Sequence, residues 1–131
     1  MNESTAVAIV RRGYQAFNEA DLETLTRLFD PQATWHTPGR SALGGDRRGR
    51  DAVFAQFARY GCGTDGSFRA ALQDVLGGED GRVVGIHHSS ARRNGKALNT
   101  SCCVVFQVRQ GRIVSGSEHY CDLHQWDEFW S

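Results

Sequence analysis

Glu118, Tyr120 and Asp122 stand at alternate positions near the end of the chain, and His87 and Ser89 do the same on an earlier stretch. Residues two apart share one face of an extended strand, so each set can offer ionisable or hydroxyl groups to one side. A carboxylate on the wall of an apolar cavity is hard to ionise. Its pKa rises toward neutrality and it becomes useful as a general base or acid, which makes Glu118 the first catalytic candidate. Imidazole titrates near neutral pH and can shuttle a proton or hydrogen-bond a carbonyl oxygen, which makes His87 the second. Tyr14 and Tyr120 could hydrogen-bond a ligand oxygen. Trp35 and His36 are neighbours on a short β-forming stretch and must point to opposite faces; Trp35 is the one expected to line a cavity, and both are kept as ligand-binding candidates. Each residue also has a structural role open to it: Glu118 as a solvated strand-end acid or the partner of an arginine, His87 satisfied by backbone, the tyrosines anchored in a core.

Other chemistries find less support. His87, His88, Glu118, His119, Asp122 and His124 are ligand types close together, but His119-x4-His124 crosses a strand end and matches no compact zinc motif, so no metal and no other cofactor is expected. Arg47-Arg48-Gly49-Arg50 lacks the glycine-rich strand-to-helix turn and lysine of a phosphate loop and reads as a solvated loop or a source of dimer salt bridges. No Ser-His-Asp or Cys-His arrangement follows from the spacing. The four cysteines, Cys62, Cys102, Cys103 and Cys121, include no Cys-x-x-Cys and read as reduced thiols. Lys plus Arg and Asp plus Glu both number 15 and the isoelectric point is about 7.0, so no overall field would draw in nucleic acid or an anionic membrane. Met1-Asn2-Glu3-Ser4 opens no basic and apolar leader and no long apolar run follows; the expectation is a soluble, cytoplasmic protein without a membrane or nucleic-acid partner.

These residues need elements to position them. Val7, Val10, Tyr14 and Phe17 fall at steps of three and four behind Ser4 or Thr5, the pattern of a capped amphipathic helix. Asp21 can cap a second helix with Leu22, Leu25, Leu28 and Phe29 as its apolar side, ended by Pro31. Ala33 to Thr37 reads as a strand stopped by Pro38-Gly39, and Arg40 to Arg50 as a loop. Asp51 opens a third helix whose buried side carries Val53, Phe54, Phe57 and Tyr60.

The character then changes. Ser67 to Leu76 alternates, with Phe68, Ala70, Leu72 and Leu76 on one side, and Arg82 to Arg93 and Lys96 to Arg109 flank the hairpin signal Asn94-Gly95. A last strand runs from Arg112 to Asp122, and Leu123, Trp126, Phe129 and Trp130 are spaced to dock a short amphipathic tail. The 131 residues suit one domain. Its class is α+β, with three N-terminal helices packed on a strongly curved mixed or antiparallel sheet whose concave side offers the pocket.

Tyr14-x-Ala16-Phe17-Asn18-x-x-Asp21-Leu22, Leu28-Phe29-Asp30-Pro31, Ala33-Thr34-Trp35-His36-x-Pro38-Gly39, Gly49-Arg50-Asp51-Ala52 and Gly111-Arg112-Ile113-Val114 together resemble the SnoaL-like polyketide cyclases and ketosteroid isomerases of the nuclear transport factor 2-like superfamily. The resemblance spans nearly the whole chain and implies a cone-shaped α+β barrel around one cavity. Ketosteroid isomerase chemistry does not carry over: its general base falls on Thr37, its oxyanion-hole aspartate at or near Val104, and its helix-one tyrosine on Gly13, next to Tyr14. The cyclases rely on an acidic residue late in the chain, where Glu118 and Asp122 stand. The family's strand facing would turn Val114, Gly116, Glu118, Tyr120 and Asp122 inward, with His87, Ser89 and Ala91, and put Ser115, Ser117, His119 and His88 outside. Val7, Phe17, Phe54, Phe106 and Tyr120 would then supply apolar walls.

Two functions follow. One is a cofactor-independent acid-base enzyme of the cyclase, isomerase, hydrolase or dehydratase type acting on an apolar molecule of polyketide or terpenoid kind. The other is a non-catalytic binding or interaction domain using the same pocket. A homodimer is expected, because the convex face of a one-layer sheet, carrying Val84, Ile86 and Val105, needs cover.

Overall fold

The computed structural model describes residues 4–131; Met1-Asn2-Glu3, read above as opening no leader, lies outside them. Ser4 caps the first helix, α1 (Thr5–Asn18), by accepting a hydrogen bond from the Val7 amide at 3.2 Å. The Asp21 carboxylate does the same for Thr24 at the start of α2 (Leu22–Leu28). That helix buries Leu25 but leaves Leu22 exposed, so Leu22 does not belong to its apolar side.

The first strand, β1 (Phe29–Thr37), begins four residues earlier than the alternation suggested. Pro31 does not end the helix; it lies inside the strand, where the pairing with β6 shifts register between Phe29 and Thr34. A proline has no amide proton to give, and an irregular stretch is where a sheet tolerates it. The expected loop after β1 also contains a short edge strand, β2 (Gly45–Arg48). Gly49, with φ of +90°, turns the chain into α3 (Arg50–Cys62), so Asp51 sits in the first turn instead of capping it. Arg50 is not a solvated loop residue: its guanidinium donates to the Thr26 and Phe29 carbonyls at 3.1 and 3.3 Å and pins the start of α3 to the end of α2.

Four strands then form an antiparallel meander, β3 (Arg69–Gly77), β4 (Arg82–Arg93), β5 (Lys96–Arg109) and β6 (Arg112–Tyr120). Asn94-Gly95 makes the predicted tight hairpin, both residues at positive φ. Among the described residues the sheet has six strands in the order β2-β1-β6-β5-β4-β3, mixed because β1 and β6 run parallel, and it is open rather than closed.

Two bulges change the facing expected from strict alternation. One lies between Leu72 and Asp74 and turns Val75 inward while leaving Leu76 half exposed. The other, between Gln107 and Val108 against Ile113 and Ser115, makes Ile113 the inward residue in place of Val114. The chain ends in α4 (Leu123–Phe129), where Trp126, Phe129 and the following Trp130 are buried and Leu123 is exposed. Helices and the concave side of the sheet enclose the core between them. Among the described residues no helix is long and apolar enough to cross a membrane.

Candidate active site

The alternation of β6 turns Glu118 to the inside, opposite Val104 of β5, and two residues along the same face Gly116 pairs with Trp35 of β1. A Cβ on Gly116 would overlap the Trp35 indole, so this glycine is what lets the large ring lie flat across the sheet. The ring's Nε1–H then reaches Glu118 Oε2 at 3.1 Å. From the other wall, α3 brings Tyr60, whose hydroxyl donates to the Glu118 carboxylate at 3.0 and 3.1 Å from its two oxygens. Behind Tyr60 the Thr37 hydroxyl stands 2.9 Å from its oxygen, and Gln56 Nε2 donates to Thr37 Oγ1 at 3.1 Å and to the Leu43 carbonyl at 2.8 Å.

Glu118 is 3% exposed, and this burial pushes its pKa up to about 7, against the pull of the hydrogen bonds from Trp35 and Tyr60. The desolvation outweighs these donors because the neighbouring walls are apolar. The carboxyl is thus held ready to lose or gain a proton near neutral pH.

A second polar arm descends from β4. His87 Nδ1 lies 2.7 Å from the Tyr14 hydroxyl of α1 and its Nε2 lies 2.9 Å from Ser89 Oγ. Burial, helped by nearby His88, pulls the imidazole down to about 4, so His87 is neutral at pH 7. Tyr14 fits against β4 because Gly85 faces it: a Cβ there would stand 2.6 Å from the Tyr14 ring. Burial raises the Tyr14 hydroxyl, and likewise the Cys102 thiol across the strand from His87, so both stay protonated. A neutral buried thiol is not a nucleophile.

Between the two arms lies a cavity of about 50 Å³, lined by apolar side chains and by Tyr14, Trp35, Tyr60, His87, Phe106, Glu118 and Tyr120. Tyr120 is itself fixed by Trp126, whose ring stacks on it with the centroids 3.9 Å apart.

Five candidates read from the sequence beside Glu118 therefore meet at this cavity: His87, Tyr14, Trp35, Phe106 and Tyr120. Ser89 is fully buried one step away and touches His87. Three others are elsewhere. His36 points out of the sheet, as the neighbour of an inward Trp35 must, and binds Asp46 at 2.6 Å on the surface. Asp122 has left the strand, which ends at Tyr120; it caps α4, and hydrogen bonds from the Gln125 amide and side chain hold its carboxyl below the usual range. Phe54 lies one turn of α3 away from the cavity and lines an outer cleft instead. Tyr60, Thr37 and Gln56 were not singled out as site residues. Their signal was a glutamine on the apolar stripe of α3, three residues after Val53 and four before Tyr60, where a buried amide must find polar partners. Among the described residues no cluster of His, Cys, Asp and Glu is arranged to hold a metal ion.

Comparison with known proteins agrees with this fold. Residues 10–116 match the SnoaL-like domain family. An uncharacterised protein of Mycobacterium tuberculosis is 35% identical over the whole of both chains. The solved structure of Bal32a, from a soil-derived mobile gene cassette, is 55% identical, with a TM-score of 0.96 over 97% of each chain. IdmH of Streptomyces antibioticus, a candidate polyketide cyclase, shares the fold at 24% identity, with a TM-score of 0.75 over 94% of this chain and 99% of its own.

Proposed function

The chain belongs to the SnoaL-like family, and from that premise we propose that it is a cofactor-independent enzyme moving a proton on an apolar small molecule, with Glu118 as the proton-handling carboxyl. The likeness to small-molecule cyclases and isomerases supports this reaction class. The observation that carries the reading is a carboxyl buried in an apolar chamber, braced by Trp35 and Tyr60, and poised near pH 7.

In this mechanism ionised Glu118 takes a proton from the carbon next to a carbonyl, the C–H electron pair passes to the carbonyl oxygen as an enolate, and the proton returns from Glu118 to the same carbon or to another along the conjugated system. Trp35 and Tyr60 keep the carboxylate aimed and share its charge. In the tautomer with its proton on Nδ1, neutral His87 donates to the Tyr14 oxygen and accepts from Ser89 at Nε2, which leaves the Tyr14 hydroxyl proton free to hydrogen-bond the substrate oxygen as charge develops on it. The aromatic walls suit a ring-bearing substrate of polyketide or terpenoid kind.

The test is hydrogen–deuterium exchange of the α-protons of 2-tetralone in D₂O, followed by NMR. Wild type should accelerate exchange with a rate that rises as pH passes about 7. Glu118→Gln should lose about a hundredfold or more in rate while tetralone affinity stays within about tenfold, because the amide keeps the shape but cannot exchange the proton. The narrowness of the cavity favours a second reading, a non-catalytic binder. That reading holds if wild type binds tetralone without accelerating exchange.

A further inference from the structure

Beside the inner chamber, between the ends of α1 and α3 and the start of β3, lies a larger open cleft of about 680 Å³. Phe17, Leu25, Phe57 and Phe68 belong to the walls of both spaces. The partition is thus one layer of side chains thick. Phe17 sits edge-on to Phe57 at 5.4 Å and to Phe68 at 6.0 Å between ring centroids, so the three rings close the passage as a unit.

The inner chamber, at about 50 Å³, holds roughly three waters, whereas benzene needs a cavity of roughly 150 Å³. Any ring that reaches Glu118 must therefore displace part of its wall. The sheet side is fixed by hydrogen-bonded strands. The backbone beside Phe17 is fixed too: the Asn18 side chain donates to the Ala70 carbonyl at 2.8 Å and accepts from the Ala70 amide at 2.9 Å, tying the end of α1 to β3. What remains free to turn is the rings, and Phe17 and Phe57 are only partly buried, with the cleft as the space into which they can swing.

We propose that the cleft is an outer binding compartment continuous with the Glu118 chamber, gated by Phe17, Phe57 and Phe68. The ligand it takes is an elongated aromatic molecule of linked or fused rings, with one oxygen function at its inner end. The mouth carries Asp65 and Arg69 beside the apolar Leu22, Phe54 and Ala58, so the outer end of such a ligand meets a wet, polar rim. The proposal rests on the inner chamber being the ligand site, as in the acid-base reading, and adds the length of the ligand as the property selected.

Phenol and 4-phenylphenol serve as short and long probes in calorimetric titrations. Ala58 is exposed on α3 and lines the cleft away from Glu118, so Ala58→Trp fills the outer compartment without touching the inner one. This variant should bind 4-phenylphenol about tenfold or more weakly while phenol binding stays within about twofold. Phe57→Ala, which removes the middle ring, should speed association of both probes by about fivefold or more in stopped-flow fluorescence. The proposal is overturned if Ala58→Trp, melting as wild type does, weakens both probes alike or neither, or if wild type binds neither probe saturably. Length discrimination without tetralone exchange would sink the acid-base reading and leave the compartment standing; exchange without length discrimination would do the reverse.

Discussion

At the scale of single residues, Glu118 and His87 are displaced in opposite senses by the same burial, and their linkage to stability can be read with its sign. Glu118 has its pKa raised from 4.5 to about 7, so its contribution is full below pH 4.5 and is lost as pH climbs through 7. His87 is lowered from 6.5 to about 4, so its contribution is full above pH 6.5 and is lost as pH falls through 4. Over the shared window the two slopes oppose each other, each on the order of 3 kcal/mol from end to end. Denaturant titrations should therefore show that Glu118→Gln makes stability rise more steeply from pH 4 to 6.5 than in wild type, and that His87→Asn makes it fall more steeply from pH 4.5 to 7. Equal profiles in all three proteins would mean that neither group is buried in solution. Trp35→Phe removes a donor that favours the charged carboxylate, so the exchange rate of tetralone should inflect above the wild-type value near 7. Glu118 and His87 were legible in the sequence because strand alternation fixes their facing from a few neighbours. Tyr60 and Gln56 were legible only as an apolar helix stripe with one misplaced amide, since nothing in the spacing within α3 says which residue of β6 it will meet. Gly116 and Gly85 were silent, because the room a glycine leaves has meaning only once Trp35 and Tyr14 are seen to occupy it.

At the scale of elements, three helices, the meander and the docked tail follow from periodicity, caps and one hairpin signal, whereas the misreadings cluster where a local irregularity breaks a period. The extra residue near Gln73 moved Leu76 outward and Val75 inward, and a bulge beside Val114 did the same for Ile113. Neither is marked by a glycine or proline, so alternation carried straight through them. The edge strand β2 was hidden because glycines and arginines read as loop; its four residues alternate only between partly and fully exposed and so have no buried face to reveal them. The tail shows the opposite case, a spacing that survives intact. Trp126 is fully buried and stacks on Tyr120, and Trp130 lies under the Arg93 guanidinium at 5.6 Å. Each large ring contributes more than about 1.5 kcal/mol by burial. Deleting residues 126–131 should lower the melting temperature in differential scanning calorimetry by about 10 °C or more. An unchanged transition would make α4 a loose end and leave Tyr120 without its support.

At the scale of the whole molecule, the placement of every helix on one side of the sheet has a consequence for assembly. Tyr14 of α1 meets His87, Leu25 of α2 lines the cavity, Tyr60 of α3 meets Glu118 and Trp126 of α4 meets Tyr120, and all four strand positions or cavity walls belong to the concave face. The convex face is left, among the described residues, with no element over it. It is not a polar surface: Val84 pairs with Val105 and Ile86 with Cys103 across β4 and β5, a partly buried apolar stripe bordered by Ser115, Ser117 and His119 of β6. We propose that a second copy of the same face covers it in a two-fold arrangement, which would need no new surface and would close on itself. With a formal net charge of zero, no overall repulsion opposes the pairing. Light scattering at micromolar concentration should give about twice the 14.5 kDa chain mass. Val105→Glu places a charge in the centre of the stripe and should yield a monomer with an unchanged circular-dichroism spectrum, because its side chain faces away from the core. That monomer should keep tetralone exchange within about twofold of wild type, since Glu118 and its partners all come from one chain. A wild-type protein that scatters as a monomer would sink the prediction and require the stripe to be stable in water by itself. A Val105→Glu protein that remains dimeric would move the interface to another surface, with the exposed edge strand β2 the next place to look.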